Sequence, residues 1–525
     1  MNYIRLQIKA LWLKVSIWVG SLSILTILIA FMIGELYSNP FERMNMRMAM
    51  DSPAMVAMAG PIPPGDFTEA ALFMVVTVLF LGLAYGLFNI LIANQVVKHE
   101  ENEGLTELLI ASGIGRKALF VNHVMVGILI NIPFFIITIL GLTLVNVNGS
   151  EFIDHVVFIS AITLFGLLFY ALTMAIGAFV TTSDMTFGIA LSVLIGMYLY
   201  RAITDVVDIS YSVVSPYHWL SRLDAYGGNN IEWLIPFSIL IIFFAIAYFV
   251  TLKRDVGDGI IHPKVTHRSR NISSYPKLLF TQSRMLIIAW FVALIVTGLS
   301  YGSVLEDIEE IMANNFIMNA AVQAGQIDNP VLFFISMISI ITAIISMFPG
   351  LMIMGKLLKE ERLRLEWMSA GVDIKRINPT RIIITHIIFA IVASIAAHAL
   401  YAISLYSMTL LVEDFPTEPI DYVYALISEG SVIVLMIGLV TLFYGISYKM
   451  FKLIWPVIAF LFIISYVGTI LQFPDWLLNV SPFHHLGHIF VDGPMWNVIV
   501  ILYATALILM IIGVMLYRRR DIQNG

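Results

Sequence analysis

Long apolar runs separated by short polar breaks occupy nearly the whole chain. They lie near residues 15–35, 68–94, 118–146, 154–180, 185–204 and 232–251. A second series follows near 284–302, 331–355, 381–411, 421–447, 453–471 and 496–517. About 20 apolar residues in a helix cross the roughly 30 Å of bilayer hydrocarbon. The pattern therefore predicts an all-α polytopic membrane protein with about twelve transmembrane helices. It is not that of an outer-membrane barrel, whose strands alternate in segments of about ten residues. The run after Lys14 continues to about Met32 with no small-residue cleavage site, so it reads as a first span and not as a cleaved signal peptide.

Composition agrees. Of 525 residues, 59% are hydrophobic and 12% charged, and the mean hydropathy is +0.91. Soluble domains carry about 25% charged residues, so a soluble globule is excluded. The chain has no cysteine, which removes disulfides, thiolate metal sites and thiol nucleophiles. The charges sort by side. Two candidate outer loops hold Glu306, Asp307, Glu309, Glu310 and Asp328, then Glu413, Asp414, Glu418 and Asp421, without Lys or Arg. The basic residues Lys9, Lys14, Lys98, Arg116, Lys117, Lys253, Arg254 and Arg518 to Arg520, with a cluster from Lys356 to Arg381, fall on the other side. Basic short loops stay in the cytoplasm, so both termini are expected there. Arg43, Arg47, Arg201 and Arg222 are exceptions to this pattern.

The chain repeats itself. "SPYHWL" at Ser215 recurs as "SPFHHL" at Ser481, and "RDVGDG" at Arg254 as "RDIQNG" at Arg520, both at an offset of 266 residues. "NHVM" at Asn122 parallels "THII" at Thr385, and "KHEE" at Lys98 parallels "LKEE" at Leu358. Short matches in one order and at a nearly constant offset mark a duplication. The expected organisation is a six-span half over 1–252, a polar cytoplasmic linker over 253–283 and a second six-span half over 284–525. The halves run parallel because six is even.

Between the second and third spans stands "HEENEGLTELLIASGIGRK", His99 to Lys117. Leu105, Leu108, Leu109 and Ser112 keep helical spacing, and Glu100, Glu103 and Glu107 repeat on another face. This predicts a cytoplasmic amphipathic helix, too charged to span, broken by Gly113 and Gly115. Its twin, Lys356 to Arg376, sets Leu358, Leu365 and Met368 against Lys359, Arg362 and Glu366, with Gly371 ending it. A solvated interfacial helix explains either one alone. Two at equivalent places suggest a paired docking surface.

Catalytic motifs do not emerge. "GLMIMGKL" from Gly350 has Leu357 where a phosphate-binding loop needs a hydroxyl for Mg, and "GLSYG" from Gly298 lacks the strand-to-helix setting of a nucleophile elbow. His484, His485 and His488 form a weak metal candidate that Gly487 interrupts. Met44, Met46, Met48 and Met50 in the first outer loop are soft ligands but also adaptable contact surface, and the second reading is preferred. His123, His386 and Glu429 are placed near span ends, where snorkelling or local hydrogen bonding suffices. His398, deeper and alone, reads as a neutral hydrogen-bonded imidazole.

The stretch Glu100 to Arg116, an E-x-x-E-G-x-x-E-L-L-x-A-S-x-x-x-R helix, resembles the coupling helix of type-2 ABC exporter permeases. The doubled form, with "SPYHWL" and "SPFHHL" before the last span of each half and "KRD" or "RRD" after it, is similar to the bacterial tetronasin and polyketide antibiotic exporter permeases. The second half departs: Glu107-Leu108-Leu109 becomes Glu366-Trp367-Met368, and one residue is lost before Gly371. The resemblance implies that Glu100, Glu101, Glu103, Gly104, Glu107, Leu108, Gly113 and Arg116 dock one ATPase subunit. It assigns Glu360, Glu361, Arg362, Glu366, Gly371 and Arg376 to a second copy. It implies no cofactor in this chain, with ATP and Mg on the partners. The halves would open a path between them for a small amphipathic substrate, in contact with lipid and not nucleic acid. A secondary multidrug exporter driven by an ion gradient is the alternative.

Overall fold

A computed structural model describes residues 2–51, 53–62, 66–227, 231–257, 274–302, 305, 329–369, 379–412, 415–467 and 475–519. Most of these are helical, and among them there is no β-strand. Twelve helices among them are long and apolar enough to cross a membrane, one for each predicted run. The protein is an all-α, multi-pass membrane protein. The chain divides into two compact units, Met1–Arg268 and Ser269–Gly525.

The first unit comprises α1 (Asn2–Leu36), α2 (Pro40–Met50), α3 (Pro53–Ala59), α4 (Glu69–Ala93), α5 (Leu105–Ala111), α6 (Arg116–Val145), α7 (Phe152–Phe179), α8 (Ser183–Val207), α9 (Pro216–Arg222) and α10 (Ile239–Lys253). α4 and α7 form its centre. They are apolar around most of their circumference because most of it is covered. A Cβ on Gly166 would collide with Asn89 and Tyr85, so the small residue is what lets α7 approach α4. The interior polar groups satisfy one another. Asn131 Oδ1 accepts from the Tyr85 hydroxyl at 2.5 Å and from Asn89 at 3.2 Å, and Asn131 Nδ2 donates to Asn89 at 3.0 Å. No ionisable group beyond a phenol is needed there.

The second unit comprises α11 (Tyr275–Gly302), α12 (Pro330–Ser369), α13 (Pro379–Thr409), α14 (Pro419–Ile446), α15 (Ile454–Phe462), α16 (Pro482–Leu486) and α17 (Trp496–Arg519). α14 and α17 cross closely through small residues. A Cβ on Gly445 would meet the Gly513 backbone, one on Gly513 would meet Thr441, and one on Gly438 would lie 2.8 Å from the Ala506 carbonyl oxygen. Dispersion at such close approach replaces the hydrophobic drive that lipid removes.

The recurring sequences fold alike locally. Ser215 and Ser481 each N-cap a short helix, accepting from Tyr217 and Phe483 amides, with Pro216 and Pro482 in the first turn. α7 and α14 open on reciprocal caps, Glu151 with Asp154 and Glu418 with Asp421.

Three boundaries differ from expectation. α1 begins at Asn2, so Lys9 and Lys14 lie within it. α11 begins at Tyr275, ahead of the apolar run at 284. α12 continues past its span to Ser369, because residues 356–369 are strong helix formers without glycine or proline. The methionine-rich segment is helical, not a loop. Residues two apart then point to opposite sides: Met44 and Met48 are exposed, while Met50 is buried and Met46 packs on the core.

Candidate functional site

The sequence predicts one amphipathic helix over Glu100 to Arg116; the structure divides it. α4 is prolonged by a wider turn over Asn94–His99 and a last α-turn over Glu100–Asn102. Gly104, with φ +76°, breaks the chain in the left-handed region that glycine adopts without strain. α5 follows. It closes on Gly113 (φ +96°), whose amide donates to Ile110, while the Ile114 amide donates to Leu109. Those are the two bonds of a Schellman motif.

The division separates the glutamates. Glu100 and Glu101 turn inward. Glu100 accepts from the Tyr3 hydroxyl at 2.6 Å and from Gln7 at 2.9 Å, pinning the start of α1. Glu101 is 7% exposed. It takes both forks of the Arg254 guanidinium at 2.6 Å each, accepts from the Gly257 amide at 2.9 Å, and faces the Lys98 ammonium at 3.1 Å. Arg116 donates to the Arg254 carbonyl at 2.9 Å. Glu101, Lys98, Arg116 and Arg254 thus clamp the end of α4, the start of α6 and the residue after α10 into one charged knot. A bidentate arginine–carboxylate pair is the most directional of such contacts.

Glu103 and Glu107 point to solvent, Glu103 beside the His99 imidazole at 3.3 Å. The apolar stripe is not covered as a whole. Leu108 is 70% exposed and Leu105 45%. The inward residues are Thr106 and Ile110, which line a small cavity with Val97, Phe120 and His123. Seven residues make two turns, so once Thr106 and Ile110 face in, Leu105 and Leu108 face out. The free face of α5 therefore combines two leucines with Glu107.

In the second unit, Glu360, Glu361, Arg362 and Glu366 lie on the helical backbone of α12, continuous with its span and not on a separate helix. Their side chains, and all of Gly371 and Arg376, lie outside the described residues. Lys356 donates to the Gln282 carbonyl at 2.8 Å and to Ser283 at 2.9 Å, so the "GLMIMGKL" stretch is α12 helix. Arg254 was legible only as half of a recurring "RD"; nothing in the spacing linked it to Glu101.

Other candidates resolve differently. His485 Nε2 contacts the Asn479 carbonyl at 2.9 Å, and His488 packs on Phe333 with ring centroids 4.7 Å apart. Burial lowers the His488 imidazole pKa below its ordinary range. Among the described residues no three His, Asp or Glu side chains converge as a metal site. Two of the exceptional arginines are neutralised locally, Arg43 by Glu69 at 3.2 Å and Arg201 by Asp205 at 3.0 Å. Glu429 is not snorkelling and His398 is not alone. The two are 2% and 1% exposed, and His398 Nε2 lies 2.8 Å from Glu429 Oε2. Their separation of 31 residues hid the pair, because α13 and α14 run antiparallel and meet only in the fold.

A family model described as Multidrug efflux system permease Rv1217c, C-terminal domain, matches residues 273–518, within the second unit. The similarity to a known protein is wider. The chain is 24% identical over 546 aligned residues to the Multidrug efflux system permease protein Rv1217c of Mycobacterium tuberculosis, covering 100% of this chain and 95% of that protein.

Proposed function

We propose that the protein is the permease of a multidrug-type efflux system, moving hydrophobic or amphipathic compounds out of a bacterial cell on energy from separate ABC ATPase subunits. The observation that carries this reading is α5. It is a short helix with an exposed face of Leu105, Leu108 and Glu107, fastened by Glu101 and Arg254 to the span ends behind it. Exposed leucines flanked by a carboxylate suit a protein partner, and the knot lets a push on α5 reach α4, α6 and α10 as one body. Full-length similarity to an efflux permease supports the transport role. The recurrent caps and sequences support two parallel six-span repeats, and hence two ATPase copies on one chain, while the basic short loops support cytoplasmic termini. ATP and Mg would reside on those subunits.

Export driven by an ion gradient is the second reading, and the buried His398–Glu429 pair favours it. The deciding experiment reconstitutes the purified chain in liposomes with and without its candidate ATPases. Transport that requires ATP and the partner, and is lost in Glu107→Lys, supports the first reading. Transport by the chain alone on a proton gradient establishes the second.

A further inference from the structure

The interior of the second unit holds an ionisable pair between two spans, His398 of α13 and Glu429 of α14. Ser339 on α12, His398 on α13 and Glu429 on α14 each lie about ten residues from the same end of their helices, roughly 15 Å at 1.5 Å per residue. That is near the middle of a hydrocarbon core of roughly 30 Å. Glu429 Oε2 accepts from Ser339 at 2.7 Å and sits 2.8 Å from His398 Nε2, while His398 Nδ1 is 3.4 Å from Ser346. Glu429 Oε1 is buried with no hydrogen-bond partner. Among the described residues the titratable neighbours include Tyr401, stacked on His398 at 5.8 Å between ring centroids, with Tyr301 and Tyr422 beyond it, Tyr503 on α17, whose hydroxyl donates to the Ile427 carbonyl at 3.0 Å, and, nearer the end of α12, His488 against Phe333. The basic residues Lys277 and Arg284 of α11, Lys356, Lys359, Arg362 and Arg364 of α12, and Arg381 of α13 stand toward the opposite ends of their helices.

The charge arithmetic is restrictive. A single unpaired charge at this depth is costly, whereas the pair is neutral as imidazolium with carboxylate or as imidazole with carboxylic acid. Both forms hold one mobile proton. Cohesion between spans does not by itself need it, since Tyr85, Asn89 and Asn131 bond α4 to α6 without one.

We propose that His398 and Glu429 form a proton-binding site in the second unit, which gains a second proton when α12 to α14 part and admit water and gives it back when they close. The proton comes from and returns to the aqueous phase facing that end of the helices; no covalent bond changes. Closure restores the low dielectric that only the neutral pair tolerates, so closing expels the extra proton. The use of this site in a transport cycle rests on the permease reading above; proton binding itself does not.

The test uses the full chain in lipid nanodiscs and infrared difference spectra between about pH 8 and pH 5, a range spanning the ordinary imidazole value. A protonated-carboxyl signal that grows toward low pH, vanishes in Glu429→Gln and shifts in pH in His398→Gln supports the site. An identical difference spectrum in the wild type and Glu429→Gln overturns it. Because glutamine keeps the size of each side chain, a folded variant is expected, and an unchanged elution profile in detergent confirms it. If the carboxyl titrates as described but reconstituted protein moves no substrate under ATP or a proton gradient, the proton site stands and the permease reading falls.

Discussion

Replacing Glu101 by glutamine keeps the shape of the charged knot and removes the carboxylate that Lys98 and Arg254 share. The Lys98 side chain is 0% exposed and that of Arg254 9%, so neither cation can recover its hydration without local opening. Breaking a buried ion pair by removing one partner costs about 3–5 kcal/mol. That corresponds to about a hundred-fold to several-thousand-fold larger population of the locally open state. Opening should be confined to what the knot holds: the last turns of α4, α5, the start of α6 and the end of α10. Amide hydrogen exchange in detergent or nanodiscs reads this population segment by segment. Exchange should accelerate there, while the start of α1, held by Glu100 through Tyr3 and Gln7, changes little. Combining Glu101→Gln with Arg254→Gln should cost less than the sum of the two single changes, by about 1 kcal/mol or more. Equal exchange in the wild type and Glu101→Gln, or strict additivity, would refute the idea that this knot carries force.

The free face of α5 allows a cleaner separation of folding from docking. Leu108→Asp should leave thermal stability within about 0.5 kcal/mol of the wild type, as for most exposed positions, yet weaken capture of the ATPase subunit about tenfold or more, a loss of about 1.4 kcal/mol, in a pull-down titration. Gly513→Leu should do the opposite: overpacking against Thr441 costs about 1–3 kcal/mol or more and should appear as aggregation of the purified chain on size exclusion. His488 carries a pH prediction. Its folded pKa lies below the unfolded value of 6.5 because of burial, so the unfolded chain binds the extra proton. Its stabilising contribution is complete above that value and is lost as the pH falls through the depressed folded value. The fall in thermal midpoint between neutral and acid pH should therefore be smaller in His488→Gln.

Much of the fold was readable because lipid imposes a simple rule. Backbone polar groups must be satisfied within each span, so apolar length reports helices directly. The caps at Ser215 and Ser481 were likewise visible as repeated letters. What the pattern misjudged were places where helical spacing was read without its breaks or tertiary partners. Glu100, Glu103 and Glu107 share a periodicity, but Gly104 splits it, and only the folded chain shows that Glu101 belongs to Arg254, 153 residues on. The outward face of α5 was not legible for the same reason: which side of a two-turn helix is covered depends on its neighbours. His398 and Glu429 seemed unrelated because hydropathy records their cost but not their pairing.

The most direct measurement of the central claim is ATP-driven export in proteoliposomes containing the purified chain and its candidate ATPase subunits. The account predicts transport of an amphipathic dye that requires ATP, requires the partner, and disappears with Leu108→Asp while the chain stays folded. ATP-dependent transport that persists at wild-type rate in Leu108→Asp combined with Glu107→Lys would contradict it.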